Sequence, residues 1–279
     1  MQAAHASRTA LGAARHRAAH QVLERGCIFS DPLALPILGM GADAIIRDTQ
    51  SDEFTRKLRN FIAIRSRLAE DALAAAVARG VRQLVILGAG LDTYAYRSPF
   101  GNTLRIFEVD HPATQAWKRE RLAAASIPLP STLIFAPVDF ERESLASGLT
   151  AAGFSADQPT FFTWLGVVPY LTEPAVYATL EFIGALPADA HVVFDYANPT
   201  ESITGTMRVG HTALADRVAA AGEAFKSFLD TDTLCARLRS AGFQTIEDFG
   251  PAQILARFFP DREGTASSRG AHILHAATE

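Results

Sequence analysis

A short apolar run, Leu84-Val85-Ile86-Leu87, breaks at Gly88-Ala89-Gly90, and Asp92 and Thr93 follow directly. Glycines straight after a buried strand let main-chain amides come close to a ligand. Asp110, 20 residues past Gly90, closes the next apolar run where a ribose would lie. A dinucleotide fingerprint wants a third glycine near Asp92, and a carboxylate beside the turn disfavours a diphosphate. It suits a cationic, hydroxyl-rich ligand, which points to S-adenosylmethionine, with its ammonium, carboxylate, ribose and sulfonium. The plainer reading is a tight turn in which Asp92 caps a helix.

The elements that would position these residues follow from periodicity. Up to about Arg79 the chain reads as helical: Thr9 to Glu24 has no internal proline, and Phe54 to Ala78 sets Phe61, Ile64, Leu68 and Leu73 at helical spacing. Glu24, Gly26 and Asp31-Pro32 mark a helix end and a turn. From residue 80 short apolar runs take over: Gln83 to Leu87, Leu104 to Asp110, Thr132 to Val138, Thr160 to Leu165, His191 to Tyr196, Phe243 to Phe249 and Ala271 to Ala277. Between most of them lie helical stretches, Ala113 to Ala125, Glu173 to Ala185 and Thr231 to Ser240. This alternation predicts an α/β fold, a doubly wound, mostly parallel sheet of seven strands covered on both faces. Pro251, Pro260 and Gly264 leave little helical pattern before the last run, so an antiparallel hairpin is expected there. Gly205 to Phe228 reads as a helical lid over the carboxyl ends of the strands. The expectation is one domain over 1–279: a helical cap at 1–79, then a Rossmann-like core at 80–279 with the lid at about 200–228.

Composition narrows the class. The 279 residues are 48% apolar, enough to bury a large core without staples. Cys27 and Cys235 are far apart and lack metal-ligand spacing, so a reduced, cytoplasmic protein without a metal is expected. Twenty-six basic and thirty acidic residues give a net charge of -4, which disfavours a nucleic-acid partner. No run approaches the length of a membrane span, and the arginine-rich N-terminus lacks the apolar stretch of a signal peptide.

The strings QLVILGAGLDTYAYR (83 to 97) and FEVDHPATQAWKRERL (107 to 122) resemble the first two motifs of the leucine carboxyl methyltransferase-like family of S-adenosylmethionine-dependent methyltransferases. SRTALGAARHRAAH (7 to 20), FSDPLA (29 to 34), FIAIRSRLAEDAL (61 to 73), PVDF (137 to 140), FFTWLGVVPYLTEPAV (161 to 176), GEAFKSF (222 to 228) and LRSAGF (238 to 243) continue the resemblance in order. It implies the class I methyltransferase fold, S-adenosylmethionine as cofactor, and O-methylation of a carboxylate on a small metabolite or a peptide terminus. By position it makes Arg65 the clamp on the methionine carboxylate and Gly88, Ala89 and Gly90 the turn. Asp110 becomes the ribose acceptor with Glu108 in support, and Asp139-Phe140 the adenine site. The family's glutamate near the ammonium is replaced by Leu165, so a main-chain carbonyl at Thr163 to Leu165, or Asp92, must act instead.

Tyr94, His111, Tyr170 and His211 are the polar groups expected to line an acceptor pocket. A carboxylate acceptor needs no general base; a phenol or alcohol would, with His111 or His211 first to test. Competing readings are a phenol or alcohol O-methyltransferase and a non-catalytic cofactor-binding protein. A nicotinamide-dependent oxidoreductase is disfavoured by the GAGLDT turn and the lack of a Tyr-x-x-x-Lys pair. His16 and His20 have metal-compatible spacing without a third ligand and read as a solvated helix face. His272 and His275 fall on opposite faces of a strand.

Overall fold

The computed structural model describes residues 8–49, 52–139, 143–203, 224–261 and 267–279, together with 208, 209, 212 and 215. Its strands are β1 (Gln83–Leu87), β2 (Arg105–Asp110), β3 (Leu133–Pro137), β4 (Thr160–Trp164), β5 (Ala190–Ala197), β6 (Thr245–Phe249) and β7 (Ala271–Ala277). They form one sheet in the order β3-β2-β1-β4-β5-β7-β6. Every described strand pair is parallel except β5/β7 and β6/β7. Seven strands, mostly parallel with the last pair antiparallel, are as expected for the class I methyltransferase fold; the order, with β6 at the edge and β7 inserted beside β5, is what periodicity leaves open.

The chain divides into two compact units, residues 1–70 with 81–155 and residues 71–80 with 156–279. In the first, β1 is buried along its whole length and β2 is buried from Ile106 to Val109, as continuous apolar runs require. Helix α1 (Arg8–Leu23) is faced with alanines, and Ala14, Ala18 and Ala19 pack with Ile37, Leu38, Leu91 and Leu122 in one core cluster. The small side chains let the helix lie close to the β1 turn: a Cβ on Gly90 would sit 3.0 Å from Ala10 Cβ. Helices α2 (Ala42–Asp48), α3 (Glu53–Arg79), α4 (Pro112–Ala124) and α5 (Leu145–Ala151) come next in chain order.

In the second unit β4 and β5 are wholly buried, and α6 (Glu173–Gly184) and α7 (Thr231–Ser240) match the helical stretches read from the sequence. Two expectations change. The segment before β7 contains a helix, α8 (Pro251–Phe258), with Pro251 at its first position, where a missing N–H costs nothing. Of the expected lid, residues 208, 209, 212 and 215 are helical, Gly205, Gly210 and His211 lie outside the described residues, and residues 224–228 are not helical.

The buried histidines give the fold a pH dependence. His191 Nδ1 and His275 Nε2 are 3.3 Å apart with rings stacked at 5.6 Å. Burial first, then the neighbouring His275, lowers His191 to about 4. Burial, with Arg59 and Arg65, likewise lowers His16 to about 4. The unfolded state takes up these protons near pH 6.5 and the folded state only near pH 4. Stability is therefore expected to fall as pH drops through that window, by on the order of 2 kcal/mol for His191 and less for the half-buried His16. Denaturant unfolding at pH 7 and 4.5, with His191→Asn as control, checks this; an unchanged pH slope in the variant would remove His191 from the account.

Candidate active site

The turn after β1 is built around two left-handed glycines, Gly88 (φ 64°) and Gly90 (φ 44°), a conformation that other residues adopt only with strain. Ala89 N donates to the Val109 carbonyl at 3.1 Å, stitching the turn to β2. Asp110, the last residue of β2, accepts from Gly90 N through Oδ2 at 2.6 Å and from His111 N through Oδ1 at 2.7 Å. Burial pushes its carboxyl above the usual carboxylate range, against the opposing pull of these two amides. Each oxygen keeps acceptor capacity beyond one amide, so the carboxylate can still receive hydroxyl donors. Asp92 Oδ1 accepts from Tyr94 N at 2.7 Å beside the turn; the short 3-10 turn that follows, Tyr94–Tyr96, has Thr93 at its N-cap, so Asp92 does not cap a helix as the plainer reading had it.

Around this centre the expected residues separate. Glu108, two residues before Asp110 on β2, is fully buried, with Oε2 2.8 Å from Lys118 Nζ and accepting from Tyr96 at 3.3 Å. Burial pushes its carboxyl up against the pull of Lys118. Tyr94 is buried with its hydroxyl on Ser98, and burial raises it to about 12. His111 is exposed and caps α4, its Nδ1 accepting from Ala113 N at 3.2 Å. Arg65 is half-buried on α3 and its charge acts on His16. Asp139 is half-buried just past β3, while Phe140 lies outside the described residues.

In the second unit, Leu165 is half-buried just past β4, and the next residue, Gly166, donates its amide to Asp195 Oδ1 at 2.6 Å. Tyr170 packs its ring against Phe225 at 5.4 Å. His272 and His275 do diverge: His272 lies between Asp248 Oδ2 and Asn198 Oδ1, each at 2.8 Å, while His275 meets His191. A His-Asp pair thus exists, but His272 is 2% exposed and both its nitrogens are engaged.

The sequence reading missed the ionic residues behind the turn. Asp31 and Thr93 are buried beside Arg17 and Arg97, and the only local signal was Asp31-Pro32, read as a turn. His20 was also misplaced: it is fully buried, not solvated, because its Nε2 accepts from the amides of Ile28 and Phe29. Among the described residues no cluster of three metal-ligating side chains occurs, and no helix is long and apolar enough to cross a membrane.

A family model described as leucine carboxyl methyltransferase matches residues 10–184. The chain is 38% identical over 202 residues to a Bacillus subtilis (strain 168) protein named "Putative S-adenosyl-L-methionine-dependent methyltransferase YktD", covering 71% of this chain and 66% of that one. It is 37% identical over 186 residues to a like-named Frankia alni protein, FRAAL3718, covering 64% of each. The match therefore spans just under two thirds of these relatives' length. Among solved structures, magnesium protoporphyrin IX methyltransferase from Synechocystis PCC 6803 aligns with a TM-score of 0.48 at 13% identity, over 83% of this chain and 90% of that one.

Proposed function

The chain belongs to the leucine carboxyl methyltransferase family, and from that premise we propose that it transfers a methyl group from S-adenosylmethionine to a carboxylate of a small molecule or a peptide terminus. The observation that carries the reading is the clasp of Asp110 on Gly90, which holds a carboxylate with spare acceptor capacity against the two-glycine turn. That donor and acceptor set fits the cofactor. Asp110 would receive the ribose hydroxyls and Arg65 the methionine carboxylate. Asp139 would take the adenine amino group against Phe140, and Asp92 offers a charge for the ammonium that Leu165 cannot supply. Glu108, bound to Lys118, would support Asp110 from below.

Bound there, the cofactor supplies a methyl group activated on a sulfonium. The residues of this chain have to align an acceptor oxygen with it and exclude water. A free carboxylate, with a pKa of about 4, is ionised at neutral pH, so no side chain has to remove a proton.

The product is therefore expected to be an ester. With methyl-tritiated cofactor and a panel of small carboxylic acids and peptides with free C-termini, label should be released as volatile methanol in mild alkali. The rate should stay flat from about pH 6 to 8 as far as acceptor ionisation goes. Label that survives alkali, with a rate climbing with pH and collapsing in a His111 variant, would move the assignment to a phenol or alcohol acceptor.

A further inference from the structure

We propose that Asp31 and Thr93 are positioning residues that hold the glycine turn in the conformation its ligand needs, an inference that rests on reading the turn as the cofactor cradle. Asp31 lies 62 residues before Thr93 and is only 1% exposed. Its Oδ2 accepts from Thr93 Oγ1 at 2.7 Å and stands 2.7 Å from Arg17 Nε. Arg17 Nη2 in turn donates to the Leu91 carbonyl at 2.5 Å. Leu91 through its main chain and Thr93 through its hydroxyl are thus both referred to one buried carboxylate, and they flank Asp92.

Arg97 closes the network. Its Nε donates to Thr93 Oγ1 at 3.1 Å and lies 3.4 Å from Asp31 Oδ1, while Nη1 and Nη2 grip Glu70 at 2.8 and 2.5 Å. Asp31 is fixed from behind: Gln21 Oε1 accepts its amide at 2.9 Å, and Asp31 Oδ1 accepts from Leu33 N at 3.0 Å. Two guanidiniums on two carboxylates, with Arg17 and Asp31 buried and Arg97 and Glu70 partly so, have few alternative arrangements. A turn with two left-handed glycines has many, and binding must otherwise meet the cost of choosing one. Tying both flanks of Asp92 to Asp31 removes that choice before the ligand arrives.

Thr93→Val deletes the hydroxyl and leaves the buried charges in place, whereas Thr93→Ser keeps the hydroxyl. Calorimetric titration with S-adenosylhomocysteine, well below each variant's Tm, should show Thr93→Val binding at least tenfold more weakly than wild type and Thr93→Ser within threefold. Asp31→Asn should lose at least as much as Thr93→Val; should it fail to fold, the Thr93 pair carries the test. A merely structural role would lower Tm and the number of competent sites but leave the Kd of the folded fraction unchanged. Thr93→Val binding within twofold of a wild type that does bind overturns the inference alone. A wild type that does not bind S-adenosylhomocysteine overturns the cofactor reading and this inference with it.

Discussion

Replacing Lys118 with alanine is expected to destabilise the protein by about 3–5 kcal/mol, the cost of leaving one member of a buried ion pair uncompensated. Lys118 is 1% exposed and Glu108 fully buried, with Nζ 2.8 Å from Oε2, and Glu108 Oε1 has no hydrogen-bond partner among the described residues. Without the ammonium, only the Tyr96 hydroxyl remains on the carboxylate among the described residues, and burial already pushes it toward its neutral form. The loss should therefore depend on pH. A carboxyl whose folded-state pKa is raised destabilises progressively as pH climbs above its unfolded value of about 4.3, so the gap to wild type should widen from pH 5.5 to 8. The double replacement Glu108→Gln with Lys118→Met removes both charges and should recover most of the loss. Urea unfolding at the two pH values decides it: a cost below about 1 kcal/mol for Lys118→Ala would show that the pair contributes no more than a surface ion pair does.

The largest effect on ligand binding is expected at Asp110. Asp110→Ala should weaken S-adenosylhomocysteine binding by about 1.5–3 kcal/mol, the scale of hydrogen bonds to a charged acceptor, or about 10- to 150-fold. Two losses coincide. On the proposed placement the ribose hydroxyls would lose their carboxylate, and the amides of Gly90 and His111 lose the oxygens they donate to, so the turn would relax. A ligand analogue lacking the ribose hydroxyls separates them: for that ligand the substitution should cost only the contribution from the relaxed turn. Equal losses for both ligands would confine Asp110 to holding the turn, and binding within twofold of wild type would remove it from the site altogether.

How much of this was legible beforehand depended on how local the cause was. The strands β1, β2, β4 and β5 showed as apolar runs because a strand buried on both faces has nowhere to put a polar side chain. Helix α8 was missed because Pro251 was read as a break, although at the first position of a helix proline is favourable. His20 was misjudged because a spacing of four says which face a residue shares and nothing about what packs on that face. The Asp31 network left only the Asp31-Pro32 turn as a local signal, because its partners are remote: Arg17 meets a carbonyl 74 residues away and Thr93 a carboxylate 62 residues away.

The sequence by itself determined the strand-and-helix rhythm, the glycine turn and the placing of Asp110 at the end of the second strand, and with them the family. All of these depend on φ preferences and on side-chain periodicity within a few residues. Only the tertiary structure decided that β7 enters the sheet beside β5, that Glu108 is bound to Lys118 inside the core, and that Asp31 stands behind the turn. The reason is physical. Which buried charges meet is settled when distant elements lose water together and each ion must find its partner, a condition on packing that no short window of sequence contains.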